Sequence, residues 1–110
     1  MRSGALLHAI PRHMIHHIVC FRFREGTTAD QIAAAGDALL GMQRTIPDVR
    51  AVRWGPNLAP SAGEYSHALT VVLDDMAAVS RYLEHPAHVD VVSTYLSPIR
   101  EARLALDIEA

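Results

Sequence analysis

The sequence predicts one α+β domain built on a four-stranded antiparallel sheet. Apolar side chains alternate at a period of two near the start of the chain, and a stripe at helical spacing follows between residues 28 and 45. Two further strand patterns, a divided helix pattern and a last strand complete the chain. The resulting order of β-α-β-β-α-β elements is that of the ferredoxin-like fold class. A length of 110 residues leaves room for a single domain.

The first strand is predicted over residues 14–24, where both faces carry apolar side chains. His17, Val19, Phe21 and Phe23 share one face, and His16, Ile18, Cys20 and Arg22 share the other. After Gly26, the pair Thr28 and Gln31 has the spacing of a capping box, which opens a helix. The helix is predicted over residues 28–45, and Pro47 ends it.

The second half of the chain repeats the alternation of strands and helices. Asp75 is a suitable N-cap for one helix, and Pro86 suits the first turn of the next. The predicted elements are a strand over residues 49–54, a strand over 65–73, a helix over 76–83, a helix over 87–96 and a strand over 102–108.

Residues 1–13 show neither clean periodicity nor helix caps, so we expect a poorly ordered N-terminal arm followed by a domain over residues 14–110. Whether the native chain starts at Met1 or at Met14 stays open at this point. Both readings place the whole sheet after the arm.

The composition argues against several classes of partner. The net charge is −2, the pI is near 6.4, and the ten basic residues are scattered arginines, so we expect no nucleic-acid partner. No apolar run reaches the length of a membrane span. Cys20 is the single cysteine, which excludes an internal disulfide and is typical of a protein in a reducing cytoplasm. Because a domain of this size buries a limited fraction of its surface, self-association would add stability, and we expect a homodimer.

Seven histidines raise the question of a metal site, because imidazole is the commonest transition-metal ligand. His85 and His88 lie three residues apart near a predicted helix start, where they can share a face. A metal pair needs further ligands in position, and the sequence has no HExxH or CxxC spacing. We therefore expect no bound metal.

A second interpretation uses histidine as a proton carrier, since its ordinary pKa near 6.5 suits a base or an acid at neutral pH. Tyr82 and His88 lie six residues apart across Pro86, so a bend there can turn both into one cavity lined by His17 and His67. The alternative is that Tyr82 and His85 only cap and pack the helix junction. Periodicity alone favours this alternative.

Five short features together resemble the stress-responsive A/B barrel (Dabb) family. They are His17-Ile18-Val19, Ile46-Pro47, Trp54-Gly55, residues 65–69 with the sequence YSHAL, and residues 82–89 with the sequence YLEHPAHV. The resemblance extends from about residue 14 to residue 108, and the last feature is the most specific.

The resemblance implies a homodimer in which two four-stranded sheets face each other as a barrel. A plant member of the family closes a linear polyketide thioester by an intramolecular aldol condensation, without metal or organic cofactor. By position, His88 and Tyr82 match its catalytic pair, and His17 and His67 match its pocket histidines. Leu39 falls where that enzyme has an aromatic contact, and we count Leu69, on the same strand face as His67, as a further pocket residue. We therefore expect no cofactor, and a hydrophobic or polyketide-like small molecule as ligand.

Three functions stay open at this point. The first is a cofactor-independent cyclase or related lyase, with His88 as the base and Tyr82 as its hydrogen-bonding partner. The second is a non-enzymatic stress-response dimer that binds a hydrophobic ligand or a protein partner. The third is a cofactor-free monooxygenase, which a similar barrel topology permits by analogy alone.

Overall fold

The computed structural model describes residues 13–110, so the predicted arm over residues 1–13 lies outside it except for His13. The elements are β1 (Ile15–Phe23), α1 (Ala29–Thr45), β2 (Ala51–Pro56), β3 (His67–Leu73), α2 (Met76–Glu84), α3 (Pro86–Val91), a π-helical turn (Val92–Leu96) and β4 (Arg100–Glu109). The predicted order of elements is confirmed.

The four strands form one antiparallel sheet in the order β2-β3-β1-β4, which confirms the ferredoxin-like fold class. Alternate β1 and β3 side chains turn toward the helices and are buried there with apolar residues of α1 and α2. The most deeply buried large side chains of this core are Phe21, Leu39, Met42, Ile46, Val71, Leu73 and Tyr82.

The caps predicted for α1 and α2 are both present. The Thr28 hydroxyl accepts a hydrogen bond from the Gln31 backbone N–H, and the Gln31 side chain accepts one from the Thr28 N–H, which completes the capping box. At the start of α2, Asp75 accepts a hydrogen bond of 2.8 Å from the Ala78 N–H. Each cap satisfies backbone donors that the first helical turn leaves without partners.

Three of the predicted strands have bounds that were wrong by two residues. β2 starts at Ala51 and extends through Pro56, which an edge strand tolerates because a proline there removes no bond from a neighbouring strand. β3 starts at His67, because the Tyr65 N–H bonds within the preceding turn and its carbonyl accepts from Asn57. β4 begins at Arg100, two residues earlier than predicted, and pairs along the whole of β1.

The segment predicted as one helix over residues 87–96 is divided. α3 ends at Val91, and the chain widens into a π-helical turn in which the Ser97 N–H bonds to the Val92 carbonyl at 2.8 Å. Such wide turns are rare in proteins, and those that occur are often found at functional sites. The turn carries Leu96 into the core beneath the site described below.

The face of the sheet opposite the helices is open and apolar. The register pairs Cys20 with Leu104 and Ile18 with Leu106 on this face. Leu104, Leu106 and Ile108 are all about half exposed. Among residues 13–110, no helix is long and apolar enough to cross a membrane.

Candidate functional site

A half-enclosed cavity of about 170 Å³ lies between the sheet and the helical layer. For comparison, an apolar cavity of about 150 Å³ in another protein binds benzene. The lining of the cavity in this protein is mostly apolar. It comes from all the strands except β2, from all three α-helices and from the π-helical turn. The lining residues are His17, Val19, Phe21, Leu39, Leu69, Tyr82, Leu83, His88, Val92, Leu96, Arg100 and Arg103.

Tyr82 lies in the last turn of α2 and is completely buried. Among the described residues its hydroxyl has no hydrogen-bond partner. Burial raises the pKa of the Tyr82 phenol, since the phenolate is poorly solvated there. The phenol therefore stays protonated at neutral pH and keeps a proton that it can donate to a ligand oxygen.

His88 is the third residue of α3, with its ring centroid 4.5 Å from that of Tyr82. Its Nδ1 lies 3.0 Å from the Leu83 carbonyl oxygen, which can only accept, so Nδ1 carries the proton. Nε2 of the neutral ring then keeps a free lone pair. Burial is the largest effect and lowers the pKa of His88; the Leu83 bond raises it, and His17 and then Arg103 lower it by smaller amounts. His88 is thus a neutral base at pH 7.

The bend that joins this pair is built by His85 and Pro86. His85 is the C-cap of α2 and the N-cap of α3, and its Nδ1 accepts a hydrogen bond of 3.0 Å from the Ala87 N–H. Pro86 occupies the first turn of α3, where its fixed φ angle and missing N–H are favourable. The capping interpretation therefore holds for His85, while Tyr82 and His88 face the cavity.

A second histidine also contacts Tyr82. The ring of His17, which β1 supplies, contacts Tyr82 edge-on, with 5.8 Å between the centroids. Its Nδ1 lies 2.6 Å from a carboxylate oxygen of Asp107, which faces it across the β1–β4 register. Because the carboxylate accepts from Nδ1, it fixes the orientation of the ring. Tyr82 thus contacts two oriented imidazoles.

The structure brings five of the six predicted site residues to this cavity: His17, Leu39, Leu69, Tyr82 and His88. His67 is the exception, and the expectation that it shares the cavity was wrong. It lies at the start of β3, where its ring stacks on Trp54 with centroids 5.4 Å apart and packs against Phe23. There it lines a separate, more open pocket with residues of the first turn of α1.

Sequence reasoning missed three charged residues at the site: Asp107, Arg100 and Arg103. Asp107 interrupts the apolar run Leu104–Ile108 of the last strand, and antiparallel pairing with β1 places it opposite His17. That lone carboxylate in a strand was a usable signal. The two arginines gave none, because their positions depend on an irregularity in β4. Within residues 13–110, no three His, Cys, Asp or Glu side chains are grouped to hold a metal ion.

Two curated proteins are similar to this chain over most of its length. An uncharacterised protein of Streptomyces coelicolor is 34% identical over 77 residues, covering 68% of this chain and 79% of its own. Olivetolic acid cyclase of Cannabis sativa is 25% identical over 85 residues, covering 76% of this chain and 84% of its own.

A solved structure and a family profile agree with these matches. A dimeric ferredoxin-like protein of unknown function from Thermobifida fusca superimposes with a TM-score of 0.78 and 27% identity, covering 92% of this chain and 94% of its own. The profile of the Stress responsive A/B Barrel Domain matches residues 15–110, which is the whole sheet with all its helices. The chain belongs to the stress-responsive A/B barrel (Dabb) family.

Proposed function

We propose that this protein is a proton-transfer enzyme of the cyclase or lyase type, which acts on a small carbonyl compound and needs no cofactor. One observation carries the proposal. A buried phenol without a partner and a neutral imidazole with a free Nε2 lie side by side in the wall of one cavity. Buried polar groups are nearly always hydrogen-bonded, so an unpaired one in a cavity calls for a ligand.

In the proposed first step, Nε2 of His88 removes a proton from a carbon that lies between two carbonyl groups. The electron pair of the broken C–H bond moves toward one carbonyl oxygen and forms an enolate. Tyr82 donates a hydrogen bond to that oxygen, where negative charge develops. Such a C–H is acidified by both carbonyls, so a base as weak as a neutral histidine is sufficient.

In the second step, the enolate carbon attacks another carbonyl carbon of the same molecule and forms the new C–C bond. The electron pair of that carbonyl moves to its oxygen, which takes the proton back from the His88 imidazolium. The reverse of these two steps is a lyase reaction. His88 then removes a hydroxyl proton while the C–C bond breaks, and the carbon that leaves takes the proton back. The Asp107–His17 pair holds a second, oriented imidazole in contact with Tyr82.

We also propose that two copies of the chain pair through the open sheet face. The exposed side chains of Leu104, Leu106 and Ile108 give this face an apolar surface that a monomer would leave in water. The similar Thermobifida fusca structure is described as dimeric. Pairing of the open faces leaves the cavity on the helical side of each sheet.

The test is exchange of a C–H proton for solvent deuterium in a 1,3-dicarbonyl compound, followed by NMR. We expect exchange above the buffer rate with the unaltered protein and a loss of at least about a hundredfold in His88→Gln. His13→Gln is the matched control, because His13 is an exposed histidine away from the cavity lining. Equal exchange in all three proteins would reject the role of His88.

The half-enclosed apolar cavity also favours a second candidate, a non-enzymatic dimer that binds a small hydrophobic ligand. Binding of the dicarbonyl compound, seen as shifts of the His88 resonances without proton exchange or turnover, would favour it over the enzyme.

A further inference from the structure

The cavity has a cationic end that the proposed chemistry does not use. Arg100 and Arg103 of β4 both line it, beside His88 and the apolar wall. In a regular strand, residues three apart point to opposite faces of the sheet. Here the β1–β4 register shifts between Arg22 and Phe23, so that Arg103 pairs with Phe21 and Arg100 pairs with Phe23. One extra residue in β4 therefore turns both arginines toward the helical side.

Three other arginines of the described residues, unlike these two, have an acidic partner. Arg22, Arg50 and Arg81 each form an ion pair, with Glu101, Asp74 and Asp48 respectively. Within residues 13–110, neither Arg100 nor Arg103 forms an ion pair or a side-chain hydrogen bond.

The charges of the two arginines also act on each other. Partial burial lowers the pKa of Arg100, and the charge of Arg103 lowers it further. An anion placed between the two guanidinium groups would offset this repulsion.

We propose that the cavity selects a substrate that carries a carboxylate, which Arg100 and Arg103 bind while the apolar part of the molecule reaches Tyr82 and His88. This inference rests on the proposed function for the site and adds the substrate class, an organic acid with a reactive carbonyl group. The guanidinium fork matches a carboxylate with two parallel hydrogen bonds. The cavity volume of about 170 Å³ suits a molecule near the size of a substituted six-membered ring.

Binding of a substrate carboxylate would also change the basicity of His88. The charge of Arg103 lowers the pKa of His88 in the unliganded protein. A bound anion neutralises that charge and so raises the basicity of His88 when the correct substrate is in place. A neutral analogue of the same shape leaves His88 as it was.

The test compares benzoate with benzamide, two ligands of equal size that differ in charge, by calorimetry and by NMR at pH 7. We expect benzoate to bind at least about tenfold more tightly, since charge-assisted hydrogen bonds are roughly twice as strong as neutral ones. Benzoate, and not benzamide, should raise the pKa of His88 followed through its ring resonances. Phenyl phosphate is the third ligand, and binding tighter than that of benzoate would replace carboxylate by phosphate as the anion.

Arg100→Met and Arg103→Met should each reduce the preference for benzoate severalfold, while Arg103→Lys should keep part of it. Arg44→Met is the matched control, because Arg44 is an exposed arginine at the end of α1 whose loss changes the net charge equally. Circular dichroism verifies the fold of each variant. Equal binding of benzoate and benzamide by the unaltered protein would overturn the inference.

The inference and the proposed function fail separately. Binding needs no turnover, so His88→Gln should still bind benzoate more tightly than benzamide even though it loses proton exchange. A preference for benzoate without His88-dependent exchange rejects the enzyme and keeps the anion site. His88-dependent exchange without a preference for benzoate rejects the anion site and keeps the enzyme.

Discussion

Tyr82→Phe should make the protein more stable and less active at the same time. The side chain is completely buried, and its hydroxyl has no partner among the described residues. A buried hydroxyl left unpaired costs the folded state about 1–3 kcal/mol, and phenylalanine fills the same space without that cost. We therefore expect the free energy of unfolding to rise by about 1 kcal/mol. The loss of a hydrogen-bond donor at a developing oxyanion should lower kcat by about 10²–10³.

The assay is urea unfolding of both proteins at one fixed protein concentration, since a dimer's stability depends on concentration. A slope of about 1–3 kcal/mol per molar urea converts the gain into a rise of roughly 0.5 M in the midpoint. Tyr95→Phe is the control, because Tyr95 is an exposed tyrosine and its change should stay within about 0.5 kcal/mol. A fall in the stability of Tyr82→Phe would show that the hydroxyl has a structural partner, and the reasoning about an unpaired donor would be refuted.

Three further predictions concern the base, the helix and the sheet face. Because burial lowers the pKa of His88 below its ordinary 6.5, the fall of kcat/KM with decreasing pH should have its midpoint below pH 6.5, and a midpoint above pH 6.5 would contradict this. The free energy of unfolding should also decrease below about pH 6.5, because the unfolded chain takes up the proton before the buried ring does. Gly36→Ala should lower the free energy of unfolding, measured in urea, by about 1 kcal/mol net of the gain in helix propensity, because the new Cβ would lie 2.4 Å from a tryptophan indole nitrogen. Gly41→Ala, whose Cβ would meet only the end of the Arg44 side chain at 3.7 Å on the same helix, should raise it by a similar amount. Leu106→Glu should halve the mass measured by light scattering, whereas Leu58→Glu in an exposed loop should not, and an unchanged mass for Leu106→Glu would exclude the open face as the interface.

Elements with local signals were predictable from the sequence. The capping box at Thr28 and the aspartate cap at Asp75 are each defined by residues three apart, and both appear in the structure. The bend at Pro86 was predictable for the same reason, since proline limits the chain wherever it stands. Because Tyr82 and His88 are joined by this local bend, their proximity followed from a short stretch of sequence.

Features that depend on pairing between distant strands were not predictable. The start of β3 depends on a turn in which Tyr65 bonds to Ala62, and no alternation of side chains reveals that bond. His67 shares a strand face with Leu69, which made a common cavity reasonable. The Trp54 ring on the neighbouring edge strand instead provides the surface on which His67 stacks. A face is a property of one strand, whereas a cavity depends on which side chains its neighbours supply.

The arginines of β4 show how strongly strand pairing can change the position of a side chain. Strand periodicity places Arg100 and Arg103 on opposite faces, and with that geometry one of them would lie on the open face among Leu104 and its apolar neighbours. The shifted register between Arg22 and Phe23 places both on the helical side instead. The register shift thus keeps one arginine off the face proposed for pairing, and it places two arginines instead of one at the cavity. Deletion of Glu101, the extra residue of the bulge, should weaken both benzoate binding and self-association. Glu101→Gln, which keeps the bulge and removes only the ion pair with Arg22, should leave benzoate binding intact.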